Sequence, residues 1–100
     1  MEIQSHTKIH TKEGSAYIRK LCRHFVHKIP ASYTESDGRA ELPGCICLMH
    51  ADTDTLSFTI TGESTEEIMK GQDIITRHLL KFAFREQLEI FWGYAELKDR

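Results

Sequence analysis

One hundred residues, 40% of them hydrophobic and 28% charged, have the composition of one ordinary folded domain and exclude a disordered chain. The formal charge of -2 excludes a uniformly basic protein but leaves room for a local basic patch. Three cysteines, no signal-peptide pattern and no apolar run of about 20 residues argue against a disulfide scaffold and a membrane span. We therefore expect a cytoplasmic protein with free thiols.

The first predicted elements are a strand and a helix. Polarity alternates with a period of two through residues 3–12, which predicts a strand. Residues 15–28 carry four lysines and arginines and no acid, and their apolar residues share one face at helical spacing. Ser15 is the predicted N-cap of this amphipathic helix. Pro30 ends the helix, because the residue before a proline is disfavoured in the helical region.

The middle of the chain predicts four short strands joined by turns. They cover residues 31–35, 39–42, 45–51 and 55–61, with Gly, Pro, Asp and Ser between them. The third of these strands is the most apolar and is predicted to be central. The block 29–63 holds six acids and one arginine, so its charge opposes that of the first helix.

The second helix has the clearest start in the chain. Ser-Thr-Glu-Glu at residues 64–67 forms a capping box, in which the serine oxygen accepts an amide hydrogen bond and the glutamate reaches back. Residues 88–92 alternate again and predict a last strand, and residues 93–100 are expected to form a loose tail. The chain is therefore a single α+β domain over residues 1–100, in the order β-α-β-β-β-β-α-β, with two helices on one face of a mostly antiparallel sheet.

The candidate ligand-binding site is a basic face shared by the two helices. Its members are Lys20, Arg23, His24, His27, His78, Lys81 and Arg85. The first helix contains no acid that neutralises its own cations. If the helices pack side by side, their histidines and Arg85 converge in a cleft suited to a carboxylate or phosphate. The alternative is a solvated face whose charges pair with acids of the middle turns.

We expect no metal and no cofactor. His24 and His27 would need a third metal ligand from elsewhere, because Cys22 projects roughly 200° away from His24 on an ideal helix. Cys45 and Cys47 share one strand face, and without a second such cluster they are predicted to be small buried residues.

Two stretches resemble a known bacterial family. Residues 17–28 read Tyr-Ile-Arg-Lys-Leu-Cys-Arg-His-Phe-Val-His-Lys, and residues 78–86 read His-Leu-Leu-Lys-Phe-Ala-Phe-Arg-Glu. Both are similar to the helices of domain-of-unknown-function family 2218, and the resemblance extends over residues 7–92. It implies a TATA-binding-protein-like α+β fold but no activity. Members resembling this chain occur alone or joined to siderophore-interacting flavin reductases, which implies a role near iron acquisition or redox.

These observations favour a small non-catalytic binding or accessory domain for an anionic small molecule, a siderophore among them, or an anionic protein partner. The first alternative is an enzyme that uses His24, His27 or His78 as acid and base on a phosphorylated or carboxylated substrate. It requires a concave pocket that holds at least two of these histidines. A structural module or homodimer is a further alternative. Nucleic-acid binding ranks last, because Tyr17 and Phe25 are predicted to face the core.

Overall fold

A computed structural model describes residues 2–97 of the chain. The elements are β1 (Glu2–His10), α1 (Gly14–Phe25), β2 (Ala31–Tyr33), β3 (Asp37–Leu42), β4 (Cys45–Ala51), β5 (Thr55–Gly62), α2 (Thr65–Phe82) and β6 (Gly93–Leu97). The six strands within these residues form one antiparallel sheet in the order β2-β3-β4-β5-β1-β6. The α+β class and the order of elements are as the sequence predicts.

The core lies between one face of the sheet and the two helices. Alternate residues of the central strands β4 and β5 are buried, Cys47 and Phe58 among them. Both helices cover this face: a methyl group added at Gly71 of α2 would lie 2.7 Å from Cys45 Sγ, and one added at Gly38 of β3 would lie 2.8 Å from Ile18 of α1. The prediction that residues 45–51 form a central strand with buried thiols is confirmed.

Helix α1 differs from the prediction at both ends. It begins at Gly14 with Glu13 as N-cap, so the predicted N-cap role of Ser15 is wrong. The Ser15 hydroxyl instead donates to the carbonyl of Glu35, which ties the first turn to the segment after β2. The helix ends at Phe25, the last buried residue of the helix, and the amide of Ile29 closes the following turn on the Phe25 carbonyl.

Helix α2 begins as predicted. The Ser64 side chain accepts a hydrogen bond from the amide of Glu67 at 3.2 Å, and the serine hydroxyl lies 3.5 Å from the Glu67 carboxylate. The N-cap role of Ser64 is thus confirmed, and the Glu67 carboxylate reaches back to the serine hydroxyl. Glycine at position 71 lets the helix approach β4 closely, because any side chain there would meet Cys45.

The last strand lies later in the chain than predicted. Residues 88–92 form a connection without regular secondary structure that packs on the core, and Trp92 donates its indole N–H to the Thr76 hydroxyl at 3.0 Å. The strand is β6, which pairs with β1 from His6 opposite Gly93. The predicted loose tail is therefore wrong for residues 93–97, and residues 98–100 lie outside the described part. The alternating apolar residues at 88–92 are the ones that pack against the core. The last strand forms only where the chain reaches the free edge of β1.

Candidate functional site

The two helices lie side by side and run in opposite directions across the sheet. Near the start of α1 the Tyr17 hydroxyl donates to Glu86, just beyond the end of α2. At the other end of α1 the Phe25 ring lies 5.3 Å from the ring of His78. We call the surface between the two helices the helix seam. It holds most of the basic residues that the sequence singles out.

Two histidines meet at the centre of the helix seam. The ring centroids of His24 and His78 lie 4.9 Å apart with the planes tilted by 45°. Phe82 flanks them, its ring centroid 6.1 Å from that of His24. His78 Nδ1 lies 2.6 Å from the carbonyl oxygen of Ile74. Since a carbonyl oxygen only accepts, this contact is a hydrogen bond when Nδ1 carries a proton, which leaves Nε2 to face a ligand.

Two small hollows open beside the histidine pair. One of about 200 Å³ is lined by His24, Arg77, His78, Lys81 and Phe82. The other has the same volume, shares His24 and His78, and adds Lys28 and an apolar wall. Among the side chains of residues 2–94, no carboxylate lines either hollow. The centre of the helix seam is therefore a concave surface of cations and imidazoles.

The positive surroundings act on His24. Loss of solvent around the ring lowers its pKa below the ordinary 6.5, and the charges of His78, Lys28 and Lys81 lower it further. The imidazole is therefore mostly neutral at pH 7. A bound anion would favour the charged form and raise this pKa again.

The acids of the middle strands do not neutralise the helix cations. Within the described part of the chain, Lys20, Arg23, Lys81 and Arg85 make no ion pair within 4.0 Å, and Arg77 pairs with Asp73 on its own helix. Middle-strand acids instead pair within the sheet, as Glu41 does with Arg39 and as Asp37 and Asp52 do with His50. The alternative of a face neutralised by these acids is thus not what the structure shows.

A larger hollow lies at the end of the helix seam where α1 begins. It measures about 570 Å³, and its lining includes Lys20, Arg85, Phe82 and Phe84. The sequence predicts that Arg85 and the histidines share one cleft. In the structure Arg85 lines a different hollow from the histidine pair. The two compartments are neighbours, because Phe82 lines both.

Glu86 lines this larger hollow, but its carboxylate already accepts hydrogen bonds from within the protein. Its carboxylate accepts hydrogen bonds from the hydroxyls of Tyr17 and Thr11, the latter at 3.0 Å. Burial and the bond to Glu86 raise the pKa of Tyr17 well above its usual range, so the phenol stays protonated and keeps donating. These contacts hold the turn after α2 against the start of α1.

Two predicted residues lie away from the helix seam. His27 follows the end of α1 and lines a broad, open hollow of about 650 Å³ with Pro30 and Arg39. Arg23 is exposed on α1 and lines none of the hollows along the helix seam. Arg77 was missed by the sequence analysis. Its spacing of four from Lys81, which places both on one face of α2, was the available signal.

The comparisons with known proteins agree with the fold. A family model described as an uncharacterized protein conserved in bacteria (DUF2218) matches residues 6–93. The chain belongs to this family. The family resemblance drawn from the two helix motifs is thereby confirmed, and it brings no activity with it.

A solved structure is similar over nearly the whole chain. It is the NMR structure of PA4090 from Pseudomonas aeruginosa, with a TM-score of 0.77 and 24% identity over 90% of this chain and 94% of that one. At this identity the likeness concerns the fold alone. The search of curated proteins found no match.

Two further properties concern residues 2–97. Their helices include none with both the length and the apolar character that a membrane crossing needs. Their histidine, cysteine and acidic side chains form no group of three or more arranged to hold a metal ion.

Proposed function

We propose that this domain is a binding module for a small anion, which it takes through a carboxylate or phosphate group at the centre of the helix seam. The observation that carries this is the His24–His78 pair in a concave surface with Lys28 and Lys81, which no described carboxylate lines. Arg77 lies beside them but already pairs with Asp73. Like charges gathered without counter-charge repel one another, and an anion at their centre relieves that repulsion.

The small volume of the two hollows favours a ligand that places a single acidic group in each of them. A volume of about 200 Å³ accommodates a phosphate or carboxylate with a short substituent. A ferric siderophore, the ligand class implied by the family resemblance, is larger and would contact the helix seam through its peripheral carboxylates. It therefore belongs in the ligand panel beside inorganic phosphate and simple carboxylates.

The histidine pair also favours one alternative, an enzyme that uses His24 and His78 as acid and base. The pair meets the requirement for two histidines in one concave pocket. Binding without catalysis is the better proposal, because among the side chains of residues 2–94 the hollows present neither a carboxylate to orient an imidazole nor a hydroxyl or thiol nucleophile. Hydrolysis of p-nitrophenyl phosphate that is lost in both His24→Ala and His78→Ala would favour the enzyme.

The test is a titration with inorganic phosphate, followed by NMR at low and at high salt. We expect binding that weakens at high salt and falls roughly 10-fold in Lys81→Ala, since a charged hydrogen-bond donor is lost. Lys70→Ala is the matched control, because Lys70 is an exposed lysine of the same helix that pairs with Glu66 instead.

A second matched pair uses histidines. His24→Ala should weaken phosphate binding, whereas His10→Ala, at an exposed position of β1 on the uncovered face of the sheet, should not. Equal affinity of wild type, Lys81→Ala and His24→Ala for phosphate would contradict the proposal.

A further inference from the structure

The larger hollow at the end of the helix seam has aromatic walls. Tyr17, Phe82 and Phe84 line it together with Ala16, in a volume of about 570 Å³. It is nearly three times the volume of either hollow beside the histidines. Aromatic faces around such a space suit a planar ring, which gains from stacking as well as from leaving water.

Phe84 is a solvent-exposed aromatic side chain on the turn after α2, and the residues on either side of it are fixed by contacts with the rest of the domain. Its side chain is 75% exposed. The residue before it, Ala83, is buried at the end of α2, and Glu86 two residues later accepts from Tyr17 and Thr11. A ring that covers Phe84 would therefore bury apolar surface without ordering a mobile loop, which is the favourable case for binding.

The charges in the larger hollow are mixed, and this orients a ligand. Arg85 places its guanidinium 5.5 Å from the centre of the Phe84 ring, and Lys20 lies on the same lining. Glu13 and Glu86 also line this space, whereas no described carboxylate lines the hollows beside the histidines. The anionic end of a ligand is thus disfavoured near the carboxylates and favoured on the histidine side.

Phe82 connects the two compartments. It lines the larger hollow and the histidine hollow, and its ring lies 6.1 Å from that of His24. One aromatic side chain therefore separates the aromatic space from the cationic one. Because Phe82 borders both, a ligand with an acid group close to an aromatic ring is the kind that could place one group in each compartment.

From this geometry we infer that the ligand is an aromatic acid. Its ring lies against Phe82 and Phe84, and its carboxylate or phosphate lies beside His24, His78 and Lys81. This inference rests on the proposed function of the helix seam and adds the chemical class of the ligand to it.

The experiment compares phenyl phosphate with inorganic phosphate on the same protein, by calorimetry and by NMR. We expect phenyl phosphate to bind roughly 10-fold more tightly, because its ring adds stacking and buried apolar area. Phe84→Ala should remove most of this difference and leave inorganic phosphate unchanged. Phe91→Ala is the matched control: Phe91 is 78% exposed and does not line the hollow. Thermal unfolding checks that both variants fold.

The outcomes separate this inference from the proposed function. If both phosphates bind equally, or if Phe84→Ala and Phe91→Ala leave phenyl phosphate binding at its wild-type strength, the aromatic ligand is wrong and the anion site stands. If neither phosphate binds, or if Lys81→Ala binds both as wild type does, the anion site itself is wrong and this inference fails with it.

Discussion

His24 in the helix seam and His50 on the opposite face of the sheet are both exposed histidines, and their neighbours differ completely. His50 lies between two carboxylates, with Nδ1 2.9 Å from Asp37 and Nε2 3.1 Å from Asp52. Carboxylate oxygens only accept, so the two contacts together favour the imidazolium form, in which both ring nitrogens donate. The hydrogen bonds to Asp37 and Asp52 raise the pKa of His50, and the bond to His50 lowers the pKa of Asp37.

His24 has positive neighbours in place of carboxylates. Its pKa is lowered by loss of solvent and by His78, Lys28 and Lys81. The fold itself thus supplies carboxylates to His50, whereas it surrounds His24 with positive charges. The difference teaches that the type of residue alone does not distinguish the two histidines, whereas the charges around them do, and the proposed anion site rests on that difference.

The largest expected effect is a loss of stability in Gly71→Val, which displaces α2 and so changes the helix seam, but leaves the surroundings of His50 unchanged. A side chain at position 71 would begin 2.7 Å from Cys45 Sγ and push α2 away from the sheet. We expect a loss of about 2–3 kcal/mol of unfolding free energy in urea, typical of overpacking. Gly93→Val is the control, because the nearest atom to a side chain there is 3.9 Å away. If the two variants are equally stable, α2 does not depend on this close approach.

A smaller effect is expected from Tyr17→Phe. The variant removes a hydroxyl that donates to Glu86, so the turn after α2 loses one of its ties to α1. We expect a loss of about 1 kcal/mol in chemical denaturation, the usual net contribution of one hydrogen bond. Tyr33→Phe, at an exposed site on the edge strand β2, should leave stability unchanged. Identical midpoints for both variants would show that the Tyr17–Glu86 bond does not hold the turn.

The smallest effect is a difference in titration between the two histidines. NMR should place the midpoint of His50 above 6.5 and that of His24 below it. The stability contributed by His50 is complete below its unfolded pKa and is lost as the pH rises through its folded pKa. For His24 the sign is reversed, since stability falls as the pH drops from 6.5 through its folded pKa.

Phosphate turns this titration into a direct comparison of the two sites. Saturating inorganic phosphate should move the midpoint of His24 upward and leave that of His50 in place. If the two titration midpoints have the opposite order, or if phosphate shifts both equally, the two histidines do not differ in the way that the structure indicates.

Local chemistry determined much of the fold. The N-cap at Ser64 depends on a few adjacent residues, so the start of α2 was predictable to the residue. Strand β4 was equally predictable, because its apolar run and its flanking turn residues are consecutive in the sequence. Its alternating burial was not, since the exposed Ile46 and Leu48 are apolar like their buried neighbours. The composition of the basic face followed in the same way from the spacing of its cations along two helices.

Tertiary structure decided what local patterns left open. Helix α1 ends at Phe25, ahead of Pro30, although Ile29 still packs against the core, and β6 forms where the edge of β1 is free to pair. Sequence placed His24 and His78 on separate helices, but only the antiparallel packing of those helices brings their rings to 4.9 Å and leaves Arg85 in the next compartment. Contacts between residues more than fifty positions apart depend on the relative placement of whole elements, and periodicity along a single element carries no information about that placement.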